Sequence, residues 1–306
     1  MNTTQQTSIQ LLQEEYLELC IEAFLIAKKA ENLTESSIKY YREKLGGFIS
    51  YCTSQEIKVV PQITSSTIRE YLIMLSSKHS SGGVHGYFRS LKAFLNWYEK
   101  EFEPENWKNP IKKIKSPKVD QEALEPANIE DVEKMIAVCG SNLTGRRDKA
   151  LMYFLLDTGL RANELLRIKL SEINLISGEV LIGKSKSRKP RYVFLGDISR
   201  RAVRKYLKMR KDECPYLWVT NSGTKLSYWG LRTAIEYRAE KANVKAPSIH
   251  SFRRYWGLAM LNNGKTDLIT LSRLGGWSDL QILKDRYAKQ NKADLKAKSS
   301  SPVDDL

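Results

Sequence analysis

The sequence predicts a mainly α-helical protein with one small antiparallel β-sheet, arranged as a helical N-terminal domain followed by an α+β domain. Three observations carry that prediction. Apolar residues recur three and four apart through residues 15–103, with no convincing strand among them. Residues 110–126 then carry three prolines and four lysines and little helical periodicity, the mark of an extended basic connection. Further on, two β-rich runs at 179–183 and 191–195 flank a polar, basic turn at 184–190, which is a hairpin signature. A chain of 306 residues has room for about two domains.

Residues 1–14 read as a flexible N-terminus. The first helix is expected to bury Tyr16, Leu19, Cys20, Ala23, Phe24 and Ala27. Thr34 is placed to cap a second helix through Ile38, Tyr41, Leu45 and Phe48, and Thr64 a third through Ile68, Leu72 and Leu75. The Ser80–Gly83 stretch reads as a breaker before a fourth helix carrying Tyr87, Leu91, Phe94, Leu95 and Tyr98. These helices make a domain over 15–108, followed by a basic linker over 109–127. The second domain, 128–290, opens with helices near 128–139 and 144–157 and a short one from Arg161 to about Ile168. After the hairpin, helices are expected near 197–211, 227–240, 250–262, 266–274 and 279–288, and a polar tail follows over 291–306.

Fifty Lys and Arg against thirty-five Asp and Glu give a net charge of +15, so a polyanion is the natural partner. The excess is uneven: residues 184–211 hold twelve basic residues and one acidic one, which puts the strongest field on the hairpin and the helix after it. No run of eighteen apolar residues and no lysine-faced amphipathic helix is present, which favours nucleic acid over a membrane. The polar, uncharged start of the chain lacks the pattern of a secretory leader. Four scattered cysteines without a C-x-x-C pair read as free thiols in a reducing cytoplasm.

Two tempting chemistries fall away. Residues 178–185 satisfy the phosphate-loop pattern G-x-x-x-x-G-K-[ST], but the four middle positions are strand formers and Lys184 leads into a turn, not a helix. With only His79, His85 and His250, no histidine pair or His/Cys cluster can be built, so no metal is expected. What remains is directed at phosphate. His250, Arg253 and Arg254 would share one face at the start of a helix, a place suited to an oxyanion. Arg161 falls in the first turn of another helix, with Glu164 beside it; the pair reads as part of an anion site or as a surface ion pair, the commoner fate of such residues. Lys184 is either a solvated turn residue or a reach into a groove, and Lys186, Arg188, Lys189 and Arg191 surround it. Trp277, after two glycines, is a core anchor or an indole N–H donor, and Tyr287 a packing residue or something more.

The ordered set Arg161, Lys184, His250-x-x-Arg253, Trp277 and Tyr287 resembles the tyrosine recombinase (phage integrase) family, as do T-G-L-R-x-x-E-L at 158–165 and G-W-S-D-L at 276–280. Trp277 stands where many members have His, and it lies ten residues before Tyr287 where some members have nine. The resemblance implies a core-binding, SAM-like DNA-binding domain over 15–108 and a catalytic domain over 128–290. It implies DNA cleavage and rejoining through a 3′-phosphotyrosyl link, with Tyr287 as nucleophile and neither metal, ATP nor any other cofactor. Arg161 and Arg253 would clamp the phosphate and Glu164 would orient Arg161. His250 would bind the phosphate or take the tyrosine proton, Lys184 would protonate the leaving oxygen, and Trp277 would add a hydrogen bond. Lys186 is a second candidate for the lysine role, and the DNA contacts fall to Lys186, Arg188, Lys189, Arg191 and Arg254. The implied partner is double-stranded DNA with a specific site, bound by a protein that is monomeric in solution and tetrameric on DNA, with an accessory DNA-bending protein, in the cytoplasm at the nucleoid. Two rival readings stay open: a non-catalytic DNA-binding regulator on the same scaffold, and a type IB topoisomerase.

Overall fold

A computed structural model describes residues 16–119, 125–183, 190–264, 266–277, 279–281 and 283. The described chain divides into two compact units on either side of residue 122.

The first unit is built from α1 (Leu17–Ala30), α2 (Glu35–Ser54), α3 (Ser65–Ser76) and α4 (Ser81–Phe102). The hydroxyls of Thr34 and Thr64 cap α2 and α3 as expected, accepting from the amides of Ser37 and Thr67 at 3.2 and 3.1 Å. Two expectations need correction. On α1 the buried face is Leu17, Cys20, Ile21, Phe24 and Leu25, while Tyr16 and Leu19 stay exposed. Turning the helix by about one residue inserts Ile21 and Leu25 instead of Ala23 and Ala27, which buries more apolar surface. The break between α3 and α4 falls at 77–80, earlier than the Ser80–Gly83 stretch: Ser80 is the cap of α4 and accepts the Gly83 amide at 3.3 Å.

The start of the expected linker belongs to this unit. Pro110–Lys113 forms a 3-10 turn, and Ile111 is buried in the same core as Phe24, Phe48 and Phe94. Buried Asn109 fixes the turn, donating to the Leu95 carbonyl at 3.1 Å and accepting from the Ile111 amide at 3.2 Å.

The second unit centres on α6 (Leu143–Thr158), whose residues Leu151, Met152, Phe154 and Leu155 are fully buried. Around it lie α5 (Ile129–Ala137), α7 (Ala162–Leu165), α8 (Asp197–Leu207), α9 (Tyr228–Lys241), α10 (Ile249–Asn262) and α11 (Leu268–Gly275). α6 packs against α8 and α10. The hairpin is present: β1 (Glu179–Ile182) pairs antiparallel with β2 (Arg191–Phe194), Val180 opposite Val193. The middle of the apparent phosphate-loop pattern is therefore strand β1, as the strand-forming residues demanded. α8 ends four residues before the expected 211, because Arg210 turns its side chain inward to the carbonyls of Cys214 and Tyr216 at 2.7 and 2.8 Å. The expected helix over 279–288 lies largely outside the described residues.

A buried ionic triad ties α6 to α9. The Asp148 carboxylate accepts from Arg147 at 2.9 and 2.8 Å and from Arg238 at 2.9 and 2.8 Å, and Arg147 also donates to the Val219 carbonyl at 3.0 Å. All three side chains are buried, so each charge depends on the others. Asp148→Ala would leave two guanidinium groups facing each other in the core, and a loss of about 3–5 kcal/mol is expected in urea unfolding. A change below about 1 kcal/mol would show that water reaches the triad and that it is not a structural tie.

Candidate active site

The site is assembled where α6, α10 and α11 end or begin. α6 stops at Gly159, which holds φ +54°. A Cβ there would lie 2.2 Å from the Trp256 ring, so glycine is required for both backbone conformation and space. Two residues on, Arg161 is the N-cap of α7, a step before the first turn where the sequence placed it. The Glu164 carboxylate reaches back to the Arg161 amide at 3.1 Å and to its guanidinium at 3.1 Å.

Arg253 lies on the buried side of α10 with 1% of its surface exposed. Its guanidinium donates to the Gly159 carbonyl at 2.7 Å and to the Gly275 carbonyl at 2.7 Å. Arg161 also donates to Gly275, at 3.3 Å, and to Gly276 at 3.2 Å. The two arginines thus meet on one backbone oxygen at the end of α11. That turn folds tightly: Gly276 has φ +64°, and a Cβ on Gly275 would sit 1.8 Å from the Trp277 ring. Folding back in this way lays Trp277 over the Arg253 guanidinium, 3.7 Å from the ring centroid, and parallel to Trp256 at 6.1 Å. The ring face is what Trp277 presents to the Arg253 guanidinium.

His250 is exposed near the start of α10, after the Ser248 cap. It lines a cleft of about 590 Å³ together with Arg161, Glu164, Gly183 and Tyr228. The three basic residues of α10 do not share one environment, as a common face would require. His250 opens to the cleft and Arg253 is buried, while Arg254 donates to the Glu125 carbonyl at 2.9 Å and so holds the backbone entering this unit. Arg191 also departs from its expected place among DNA contacts. It points inward from β2, pairs both its terminal nitrogens with Glu164 at 3.1 and 2.9 Å, and donates from Nε to the Leu274 carbonyl at 2.8 Å. Lys184, Lys186, Arg188, Lys189 and Tyr287 lie outside the described residues. Among the described residues no three His, Cys, Asp or Glu side chains group as a metal site would.

Sequence reasoning missed Trp256 and Tyr228. Trp256 follows Arg253 by three positions and so lies on its face of α10, a spacing that would have suggested contact. For Tyr228 there was no signal beyond its place after the Ser227 cap.

Two guanidinium groups are thus fixed on one backbone oxygen, and the cleft lined by one of them, Arg161, is lined by the His250 imidazole as well. A model of the phage integrase family matches residues 128–294, more than half of the chain. The tyrosine recombinase XerC of Oceanobacillus iheyensis is 26% identical over 278 residues, covering 86% of this chain and 89% of that protein. The tyrosine recombinase XerD of Staphylococcus aureus is also 26% identical, covering 86% and 92%. Among solved structures, the XerH site-specific recombinase on its palindromic difH substrate matches with a TM-score of 0.70 at 22% identity, over 92% of this chain and 82% of that one. The Tn1549 transposon integrase with a circular intermediate DNA gives 0.75 at 14%, over 92% and 98%. This chain belongs to the phage integrase family.

Burial would raise the pKa of Glu164, but the hydrogen bonds and charge of Arg191, followed by those of Arg161, outweigh it and hold the carboxyl below its ordinary value. A lowered folded-state pKa contributes stability above the unfolded value, about 4.3, that is lost as pH falls through the folded one. The stability gap between the native chain and Glu164→Gln should therefore shrink as pH is lowered from about 5 towards 3, read as urea midpoints. A gap that stays constant across that window would refute the coupling.

Proposed function

We propose that this protein is a site-specific DNA recombinase that cuts and rejoins strands through a 3′-phosphotyrosyl intermediate. The observation that carries the reading is the convergence of Arg161 and Arg253 on the Gly275 carbonyl beside the cleft that holds His250. Guanidinium groups fixed in this way present their remaining donors to the non-bridging oxygens of a phosphodiester, where charge grows in the transition state.

Tyr287 attacks the phosphorus, so a P–Oη bond forms as the bond to the 5′-oxygen breaks. His250 accepts the phenol proton or holds the phosphate, Lys184 gives a proton to the leaving 5′-oxygen, and Trp277 supplies a further hydrogen bond while its ring keeps Arg253 in place. The phosphodiester energy stays in the protein link, so rejoining requires neither ATP nor metal. The partner is double-stranded DNA carrying a specific site, met by the core-binding domain at 15–108 as well as by the catalytic domain at 128–290. Lys186, Arg188 and Lys189 supply backbone contacts. The protein is a monomer in solution and assembles as a tetramer on two duplexes, exchanging the tail at 291–306 between neighbours. An accessory DNA-bending protein and a cytoplasmic, nucleoid-associated location complete the reading.

Nicked duplexes tiled across a sequence that the full chain selects from a random pool provide the test. A covalent complex should form in EDTA and map to Tyr287, and Tyr287→Phe should form none. DNA on a different tyrosine, or cleavage that stops on chelation and returns with Mg²⁺, would overturn the assignment.

The general acid is tested separately. Lys184→Ala should slow cleavage of the normal duplex and recover on one with sulfur at the 5′-bridging position, since a thiolate leaves without a proton. Recovery by Lys186→Ala in its place would transfer the role to Lys186.

A further inference from the structure

We propose that Arg191 is a positioning residue of the strand-transfer site: it locks Glu164, and through Glu164 the phosphate-binding Arg161, to the hairpin and to the glycine turn. This rests on the recombinase reading above.

Geometry removes Arg191 from the DNA surface. Its side chain keeps 12% of its exposure. Both terminal nitrogens grip the two Glu164 oxygens in a parallel fork at 3.1 and 2.9 Å, and Nε binds the Leu274 carbonyl at 2.8 Å. Gly276 lies so close that a Cβ on it would stand 2.9 Å from the centre of the guanidinium. One side chain therefore joins three elements. β2 carries it at its first residue; α7 offers Glu164; α11 offers the last carbonyl before the Gly275–Gly276 turn on which both clamp arginines rest.

Glu164 divides its oxygens between the arginines. Oε1 accepts from Arg161 Nη1 at 3.1 Å and Arg191 Nη1 at 3.1 Å, and Oε2 from the Arg161 amide at 3.1 Å and Arg191 Nη2 at 2.9 Å. Arg191 thus fixes the carboxylate plane, and that plane sets where the Arg161 guanidinium points. Around this carboxylate stand Arg161 and Arg191, Arg167 one turn along the chain, and Glu172 and His250 across the same cleft; α11 contributes backbone carbonyls. Removing Arg191 takes away one of the two cations that hold Glu164 ionised against burial.

The test uses the full chain and the selected, nicked duplex described above. With Arg191→Met, DNA affinity should keep its salt slope while single-turnover cleavage at saturating protein falls about 30- to 100-fold, as expected for a misplaced clamp. The acid limb of the cleavage profile should move to higher pH, because Glu164 now protonates more readily. Arg191→Lys, which keeps the charge but loses the fork, should restore part of the rate and keep the native chain's acid limb. Glu164→Gln should match Arg191→Met in saturating rate and lose the acid limb that belongs to Glu164, and the double variant should be no slower than either single one.

A salt slope that drops by about one unit with an unchanged saturating rate would make Arg191 a phosphate contact and end the proposal. So would a slower rate with an unmoved pH profile, or additive losses in the double variant. Should Arg191→Met fail to fold, Arg191→Lys and Glu164→Gln carry the test alone. If the native chain cleaves no duplex, the recombinase reading fails; carboxyl-carbon NMR titration of Glu164 in the native chain and Arg191→Gln, which removes the charge, then decides the coupling. An identical titration in both would overturn it.

Discussion

Like charges at close quarters are the constraint behind this site. Arg161 and Arg253 bind a single carbonyl oxygen at 3.3 and 2.7 Å, so those nitrogens lie within about 6 Å of each other. At that distance two unit charges repel by about 3 kcal/mol at an effective dielectric of 20. The surrounding structure offsets this with oriented negative ends: the carbonyls of Gly159, Gly275 and Gly276, the Glu164 carboxylate and the face of Trp277. Each of these is supplied by a helix end or the turn that follows it, where carbonyl groups lack helical partners. Two arginines brought this close are thus held by the ends of helices.

The same logic explains why the glycines sit where they do. Gly159 and Gly276 both adopt left-handed backbone conformations, each directly at a carbonyl used by an arginine or at an arginine itself. A side chain at either would push Trp256 or Arg191 aside. Packing and electrostatics are therefore not separable here. The indole that fills the space left by Gly159 also backs the indole that covers Arg253.

Much of this was legible from residue order. Helix periodicity, the Thr34 and Thr64 caps and the two paired strands within 179–195 appear as read, because each depends on local backbone preferences. The departures share a cause, which is that a sequence gives the type of a side chain but not which way it turns. Arg191 sits among lysines and arginines of a basic turn, yet strand alternation and the nearby Glu164 carboxylate draw it inward. Arg253 and Arg254 are adjacent, and one step of helix rotation buries the first while the second reaches the Glu125 carbonyl. Ile111 looked like part of a solvated connection, and only the three-dimensional core of the first unit reveals the space it fills. On α1 the choice between two neighbouring faces was decided by volume, which periodicity alone does not weigh.

The stacked pair of Trp256 and Trp277 gives the molecule an optical property as well as a mechanical one. Two indoles whose planes differ by 11° at 6.1 Å couple their excited states, and the guanidinium against Trp277 perturbs one of them. Near-ultraviolet circular dichroism and intrinsic emission therefore report on the clamp from within, without an added label. Four other tryptophans share the spectrum, but neither of the two in the second unit, Trp218 and Trp229, is in a stacked indole pair of this kind among the described residues. Any event that lifts the Gly275–Gly276 turn away from α10 separates these chromophores, so the integrity of the clamp is readable in the protein's own near-ultraviolet signal.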